Sequence, residues 1–348
     1  MNKRIYLIAL LLIATGYLTN AQTWQWGKRG GSADAGSGGP DESVRDMATD
    51  PKGNIYVLSY VLQTSLNIDG HAITGWGGQD ILLTSFKCDG TYRWSKDIGT
   101  NSDDVPIAIK TDTLGGVYIF GQLAGGSLTR HLSSDTSWSS GSYQSMFIMK
   151  YDTAGNYKWF VYPQPDTITS FGEFLNPDTG PLDMDVDGGG NIYLLSNLEP
   201  GGYANESYIV ASEGINILKY NKNGVFISGN SMQIAYSSSY SNLLMKKDFQ
   251  NGRYYITGSL GSGTLTFAGT PILNSIFIGC FNNSGAFLWQ HQNKSNTADP
   301  TSRAAIDFQH NIYISSISSG NDTFNTYAII PGGVPAKDKV PLLNEPVI

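Results

Sequence analysis

The stretch Asp50-Pro51-Lys52-Gly53-Asn54-Ile55-Tyr56-Val57 contains the pattern on which the prediction of the fold depends. In this pattern an aspartate is followed four residues later by Asn or Gly, and two residues after that by tyrosine. The pattern recurs with aspartates 59 to 75 residues apart. A recurrence of this length, with strand-like residues in every unit, predicts a repeat architecture. The copies are Asp50/Asn54/Tyr56, Asp112/Gly116/Tyr118, Asp187/Asn191/Tyr193, Asp248/Gly252/Tyr254 and Asp307/Asn311/Tyr313.

Each repeat has the pattern of four short strands. The aspartate turn separates an alternating strand from an apolar, β-branched run, because Asp and Asn bond their own backbone in turns and Gly or Asn accepts positive φ. A third strand then leads through a glycine into a fourth. Four such strands repeated about a common centre predict an all-β fold, a β-propeller of four-stranded blades. The third strands are expected at Asp80 to Phe86, Met146 to Tyr151, Ile215 to Tyr220 and Ile276 to Phe281.

Aromatic residues stand two and four positions after the glycine that begins each fourth strand. Because residues i and i+2 share one face of a strand, this face is expected to pack on a neighbouring sheet. The third repeat departs from the pattern, since Ser228 replaces the tryptophan. The other residues at these positions are Tyr92, Trp94, Tyr157, Trp159, Phe226, Phe287 and Trp289.

The two ends of the repeat region are incomplete in complementary ways. Trp24 and Trp26 have the aromatic spacing of a fourth strand, with no earlier strand before them in the mature chain. The fifth repeat has strands at 301–306 and 310–316, a candidate third near 327–330, and no tryptophan strand afterwards. We therefore predict about five blades, the last closed by the strand Thr23–Trp26, which would remove exposed sheet edges.

The N-terminal segment has the pattern of a secretory signal peptide. Lys3 and Arg4 precede an apolar run from Ile5 to Ile13, and small residues stand at Thr19 and Ala21. The apolar run is too short to span about 30 Å of hydrocarbon. We predict that the protein is secreted or lies on the outer cell surface. The expected divisions are a signal peptide over 1–21, a propeller over 22–330 and an extended tail over 331–348.

Composition excludes several classes of partner. The chain has 22 Lys+Arg against 29 Asp+Glu, a net charge of −7. It therefore offers no basic stripe for nucleic acid and no polybasic attraction to anionic lipid. Cys88 and Cys280 fall at different offsets of their repeats, which favours two isolated thiols over a disulfide. We expect a monomer with no nucleic-acid partner and no membrane span.

The repeat resembles the bacterial β-propeller repeat family called SBBP, which is common in secreted and surface proteins of Bacteroidetes. The resemblance is carried by Asp-x-x-Gly-Asn-Ile-Tyr-Val, Gly-x-x-Asp-Ile, Lys-Tyr-Asp and Gly-x-Tyr-x-Trp, and by the segments 65–73 and 264–272. It covers roughly residues 40–320, and the first and fourth repeats match best. The family name implies seven blades, whereas this chain has four full units and one split unit. The resemblance implies a scaffold rather than an activity.

Polar residues follow one face of the first strand of the repeats, two and four residues before the aspartate. In a propeller this strand lies nearest the central channel, so their side chains are expected to converge there. Two interpretations stay open: a wet channel whose opposite charges offset one another, or a site that holds an ion or small polar ligand between walls of low dielectric. These residues are Asp46, Lys110, Asp183, Asp185, Lys246 and Arg303.

The run Asp183-Met184-Asp185-Val186-Asp187-Gly188 also matches the opening of a calcium loop. The twelfth position of that loop would be Leu194, where a bidentate glutamate is required, and Asp187 is already explained as a turn residue. Asp183, Asp185 and Asp187 are therefore a weak calcium candidate beside a structural explanation, and no other cofactor is indicated.

Two classes of function remain open. The chain has no G-x-S-x-G elbow, no phosphate-binding glycine loop, no H-E-x-x-H and no C-x-x-C, which favours a protein that is not an enzyme. We predict a binding or scaffold module for carbohydrate or protein; the alternative is a glycan-active hydrolase or lyase with its site at the channel mouth. Aromatic residues in loops that differ between repeats are candidate ligand contacts. They are Trp76, Trp138, Tyr143, Tyr203 and Tyr208.

Overall fold

The computed structural model describes residues 27, 30–31, 42–62, 66–124, 128–133, 136–140, 145–163, 165–166, 180–236, 242–259, 264–273, 276–292 and 303–315. All regular elements in these residues are β-strands, which confirms the all-β prediction. Within the same residues no helix is long and apolar enough to cross a membrane. The predicted signal peptide, the closing strand Thr23–Trp26 and the C-terminal tail lie outside the described residues.

The strands are numbered in chain order. The first fourteen are β1 (Gly30–Gly31), β2 (Glu42–Thr49), β3 (Ile55–Val61), β4 (Leu66–Ile68), β5 (His71–Ile73), β6 (Asp80–Phe86), β7 (Tyr92–Ile98), β8 (Val105–Thr111), β9 (Gly116–Leu123), β10 (Leu128–Ser133), β11 (Thr136–Ser140), β12 (Ser145–Asp152), β13 (Tyr157–Val161) and β14 (Gly180–Val186). The others are β15 (Ile192–Leu198), β16 (Gly201–Tyr203), β17 (Tyr208–Val210), β18 (Gly214–Tyr220), β19 (Phe226–Ser231), β20 (Ile234–Tyr236), β21 (Asn242–Asp248), β22 (Arg253–Ser259), β23 (Leu265–Phe267), β24 (Thr270–Ile272), β25 (Ile276–Phe281), β26 (Phe287–Gln292), β27 (Arg303–Ile306) and β28 (Ile312–Ser315).

Four antiparallel sheets of four strands form the main architecture, one for each full repeat. Their strand orders are β2-β3-β6-β7, β8-β9-β12-β13, β14-β15-β18-β19 and β21-β22-β25-β26. The pair β27-β28 represents the fifth repeat, and short strands lie between the second and third strands of the units. The predicted third strands are confirmed to within one residue at each end. In the described part of the chain the sheets are not seen to close into a ring or barrel.

The repeated aspartate organises the turn between the first two strands of each sheet. Asp50 accepts hydrogen bonds at Oδ1 from the backbone N–H groups of Lys52 and Asn54, each at 2.9 Å. Its Oδ2 accepts from the Asn54 amide at 2.7 Å and from the Tyr56 hydroxyl at 2.9 Å. The carboxylate thus satisfies donors that the turn would otherwise leave unpaired, which explains why this residue recurs. Asp112 and Asp307 likewise accept from the tyrosine six residues later.

Apolar side chains between neighbouring sheets form the core. Tyr56, Leu58 and Leu83 of the first sheet pack with Ile119 and Met149 of the second in one fully buried cluster. Comparable clusters join the second sheet to the third, the third to the fourth, and the fourth to β28. Each large apolar side chain buried in this way stabilises the fold by about 1.5–3 kcal/mol. The sheets therefore pack face to face in the order of the sequence.

Tryptophans of two fourth strands tie the first sheet to the second and the second sheet to the third. The indole N–H of Trp94 donates to the Thr153 carbonyl at 3.2 Å, and that of Trp159 donates to the Lys222 carbonyl at 3.0 Å. Both carbonyls belong to the hairpin between the third and fourth strands of the following sheet. The predicted packing of this aromatic face on a neighbouring sheet is confirmed.

The two cysteines are not joined in a disulfide bond, as the sequence predicts. Cys280 is buried in the core between the fourth sheet and β28, whereas Cys88 is exposed in the turn after β6. A packing role therefore applies to Cys280 alone.

Candidate functional site

The polar face of the first strands is crossed by an ion pair between the first two sheets. The Lys110 ammonium on β8 lies 2.7 Å from Oδ2 of Asp46 on β2. The same carboxylate oxygen accepts the backbone N–H of Ile109 at 3.0 Å. A β-bulge in β2 immediately before Asp46 shifts the register of the strand at this point. Asp46 is therefore satisfied by protein donors from the adjacent sheet.

A second set of bonds joins the third sheet to the fourth on the same face. Oδ2 of Asp185 lies 2.9 Å from the Lys246 ammonium and accepts the Lys247 backbone N–H at 3.0 Å. Oδ2 of Asp183 accepts the Met245 backbone N–H at 2.8 Å. Asp183 stands at the position equivalent to Asp46, four residues before the repeated aspartate, and it makes the equivalent bond to the next sheet.

The charges of this face are coupled. Burial alone would lower the pKa of Lys110, but the carboxylates of Asp183, Asp46 and Asp185 outweigh burial and raise it. The pKa of Asp183 is raised by burial, in part offset by Lys110. A lysine with a raised pKa stays charged and attracts carboxylates on both sides. The face thus carries its own counter-charges. Arg303 lies on β27, and its side chain is outside those that the structure describes.

The oxygens of the weak calcium candidate are engaged by protein groups. Asp187 accepts the backbone N–H groups of Gly189 and Asn191 at Oδ1 and the Asn191 amide at Oδ2, as the other turn aspartates do. Asp183 and Asp185 face the fourth sheet, as described above. In the described ranges, no group of three or more His, Cys, Asp or Glu side chains could hold a metal ion.

Among the loop aromatics whose side chains the structure describes, Trp76 has the clearest access to solvent, with 37% of its surface exposed. Its ring stacks on the imidazole of His131 with centroids 3.4 Å apart and planes 2° from parallel. The Trp76 backbone N–H donates to Oδ2 of Asp80 at 2.6 Å, which holds the loop against the start of β6. His131 is held in turn by two backbone bonds to Gly99, at 3.0 and 2.7 Å. The ring is therefore supported on a fixed platform.

The other loop aromatics differ in their surroundings. Tyr203 and Tyr208 lie opposite each other on β16 and β17 rather than in a loop. Tyr203 is 2% exposed and donates to the Glu199 carbonyl at 3.0 Å, so its role is in the core. Tyr208 is partly exposed and donates to the Asn216 side chain at 2.7 Å. Trp138 lies on β11 with a side chain outside those described, and Tyr143 lies outside the described residues.

Three aspartates that the sequence patterns did not single out meet beside the Trp76 loop. Asp80 and Asp104 are 1% and 0% exposed, and Asp97 is partly buried. One oxygen of Asp80 and both oxygens of Asp97 are buried without a hydrogen-bond partner. Unpaired buried carboxylate oxygens are costly in any fold. A possible signal is the Gly-x-x-Asp-Ile motif, which contains Asp80, but no pattern relates it to Asp97 or Asp104.

No protein-family model and no curated protein matches this chain. The resemblance to the SBBP repeat family therefore stays a prediction from the sequence motifs.

Proposed function

We propose that this chain is a secreted or surface-exposed β-propeller scaffold of about five blades that binds an extracellular carbohydrate through the sheet ends around Trp76. The propeller is supported by successive four-stranded sheets packed face to face, and by first strands that contact one another from β2 through β8, β14 and β21 to β27. A propeller places such strands around its axis.

The exposed ring of Trp76 carries the proposal for ligand binding. A flat aromatic face held rigidly beside polar backbone groups is typical of sites that take sugars, since one side of a sugar ring is apolar and its rim is polar. The platform of Trp76 on His131 is already ordered, so little conformational entropy is lost when a ligand binds.

The first-strand face supports a structural role instead of a binding site. Its carboxylates accept backbone N–H groups and lysine ammonium groups from the next sheet. A ligand there would have to replace bonds that already join two sheets. We therefore assign this face to the internal support of the scaffold.

The glycan-active hydrolase or lyase has weaker support. Raised carboxyl pKa values are typical of a general acid, and the cluster of Asp80, Asp97 and Asp104 has them. The unpartnered oxygens of this cluster are closed to solvent, however, so a glycosidic bond could not reach them. A protein partner remains the second candidate, because Trp76 is also suited to a protein interface.

Binding is tested on an array of oligosaccharides and polysaccharides with the labelled protein, followed by calorimetry on each glycan that binds. We expect Trp76→Ala to abolish binding. The matched control is Phe308→Ala. Phe308 is an exposed aromatic residue in the turn between β27 and β28, at the sheet end opposite to the one that corresponds to the Trp76 loop. Retained binding by Trp76→Ala would refute the site. If the wild-type protein bound other proteins but none of the glycans, a protein partner would be favoured.

Closure of the propeller by the N-terminal strand is tested separately. A chain that begins at residue 29 lacks the strand predicted to close the last blade, so we expect a marked fall in its thermal midpoint relative to a chain that begins at residue 22. Equal midpoints would contradict closure by Thr23–Trp26.

A further inference from the structure

The three carboxylates beside the Trp76 loop meet because of strand register. Ile81 pairs with Ile98 in the ladder between β6 and β7, and Leu82 pairs with Asp97. Asp80 therefore lies opposite Gly99, and Asp80 and Asp97 lie diagonally on the same face, within reach of each other. Asp104 approaches the same place from the loop between β7 and β8.

Gly99 makes room for the contact. A Cβ atom at this position would overlap Oδ1 of Asp80 and would lie 2.8 Å from Oδ2 of Asp104. The two oxygens thus approach each other over the glycine backbone. Any larger residue at position 99 would separate them.

Hydrogen bonds satisfy only part of the cluster. Asp104 accepts the Thr100 N–H at 2.6 Å and the Ala124 N–H at 2.7 Å. Asp80 accepts at Oδ2 from Trp76 and from Gly77, the latter at 3.3 Å. Oδ1 of Asp80 and both oxygens of Asp97 have no donor. A protonated carboxyl group would supply the missing donors, because each proton can be shared with a neighbouring oxygen.

No positive charge compensates the cluster among the described side chains. No lysine, arginine or histidine of these residues makes an ion pair with any of the three carboxylates. Three titratable groups lie close to the cluster. His131 on β10 is bonded through its backbone to Gly99, Tyr151 on β12 interacts electrostatically with Asp97, and Asp103 in the loop that carries Asp104 accepts the Gln79 N–H. Burial lowers the pKa of His131 and raises that of Tyr151, so both are neutral near pH 7. Lys96 points to the opposite face of β7, since neighbours alternate along a strand.

We infer that Asp80, Asp97 and Asp104 form a proton-binding site beside the Trp76 loop. While they share protons the three carboxyl groups stay together and keep the loop on the first sheet. When they ionise, their mutual repulsion separates them and loosens the loop, although an ionised Asp80 alone would bind the Trp76 N–H more strongly. Burial raises the pKa of Asp97 to about 8, of Asp104 to about 7 and of Asp80 to about 6, with repulsion between the carboxylates adding to the shift in Asp97 and Asp104. The inference does not depend on the proposed carbohydrate, because its readouts need no ligand.

Proton linkage determines whether the stability of the folded protein rises or falls with pH. The folded protein keeps protons that the unfolded chain has released above a pKa of 3.8. Stability therefore falls as the pH rises from about 4 to about 8, and the folding equilibrium constant drops by up to about tenfold per pH unit for each carboxyl group that is protonated in the folded protein and ionised in the unfolded chain. Above that window the contribution of the cluster is constant.

The experiment compares urea unfolding of the wild type and Asp97→Asn between pH 5 and pH 9. The amide keeps the shape of the side chain but cannot ionise, so we expect the variant to lose less stability than the wild type over this range and to be the more stable protein at pH 9. Parallel pH profiles, or a variant that is less stable at every pH, would overturn the inference.

Two further measurements keep the inference testable if Asp97→Asn does not fold. Infrared difference spectra of the wild type should show protonated carboxyl groups at pH 6 that disappear by pH 9, and hydrogen exchange at the Trp76 amide should quicken over the same range. Absence of the carboxyl band at pH 6 would refute the proton site. A gain of stability at pH 6 on addition of calcium chloride would also refute it, because the carboxylates would then be ionised and able to bind a cation.

Discussion

The ammonium group of Lys110 and Oδ2 of Asp46 lie 2.7 Å apart although the two residues belong to different sheets. Both side chains are largely buried, with 24% and 13% of their surfaces exposed. The same lysine is attracted by Asp183 of the third sheet. Lys110 thus links the first strands of three successive sheets.

Replacement of this lysine tests the link. We expect Lys110→Met to lower the free energy of unfolding by about 2–3 kcal/mol, because it leaves buried carboxylates without their counter-charge. Urea unfolding followed by fluorescence measures the change. The matched control is Lys52→Met at an exposed position in the Asp50 turn, where we expect a change within about 0.5 kcal/mol. Equal losses in both variants would show that the pair contributes nothing specific.

Substitution of Asp112 tests how much the hydrogen bonds of the turn aspartate contribute to stability. Its carboxylate accepts from the N–H groups of Leu114 and Gly116 at 2.8 and 2.6 Å and from the Tyr118 hydroxyl at 2.7 Å. We expect Asp112→Ala to reduce the free energy of unfolding by about 2–4 kcal/mol, since three donors lose their acceptor. Tyr118→Phe removes a single donor, and its loss should be about 1 kcal/mol. If the two variants lost equal stability, the two backbone bonds would be unimportant.

Alanine substitutions at two glycines with similar φ angles distinguish the effect of steric overlap on stability from that of backbone strain. Gly155 has φ +84°, and a Cβ atom there would lie 2.8 Å from the Trp94 ring of the preceding sheet. Gly70 has φ +87° and open space around the same point. Both alanine variants bear the strain of positive φ, but Gly155→Ala must also displace the indole. We expect Gly155→Ala to lose about 1–3 kcal/mol more than Gly70→Ala in chemical unfolding. Similar losses would mean that Trp94 moves without penalty.

Lys247 should titrate at unusually low pH. Its ammonium lies 3.6 Å from the Tyr254 ring centroid and donates to the Asn283 side chain at 2.8 Å. Burial, with repulsion from Lys219, lowers its pKa to about 8. The unfolded chain keeps this proton up to about pH 10.5, so the lysine adds stability as the pH rises through the interval between the two values. Carbon-13 NMR of labelled lysines should show one early titration that disappears in Lys247→Arg; titration of every lysine near 10.5 would contradict the expectation.

Much of the local structure could be predicted from sequence because it depends on neighbours in the chain. The Asp50 turn is closed by donors within six residues, and the same spacing is visible wherever the aspartate recurs. Period-two alternation placed Trp94 and Trp159 on a face that meets another sheet, as their bonds to the next hairpin confirm. Strand existence, strand order and the turns follow from such short-range chemistry.

The sequence did not predict which side chains form ion pairs between the sheets. The polar face of the first strands was visible in the pattern, but no spacing rule pairs Asp46 with Lys110 or Asp185 with Lys246. These pairs depend on how two sheets are offset when their cores pack, and on the bulge before Asp46. Tyr203 shows the same limit, since a tyrosine in a variable segment became a core residue on β16.

The all-β character of the chain, its turns and its short strands could be predicted from sequence alone, because hydrogen bonds within a turn and alternation along a strand depend on residues close in the chain. The meeting of Asp80, Asp97 and Asp104 beside Trp76 could not be predicted in this way, because it depends on tertiary packing. Their meeting requires the register of β6 on β7, a glycine at position 99, and a loop from β7 to β8 that is held by the Ala124 N–H after β9. Proximity between residues on different elements is set by packing of the whole fold, and burial of the resulting cluster is what alters its chemistry.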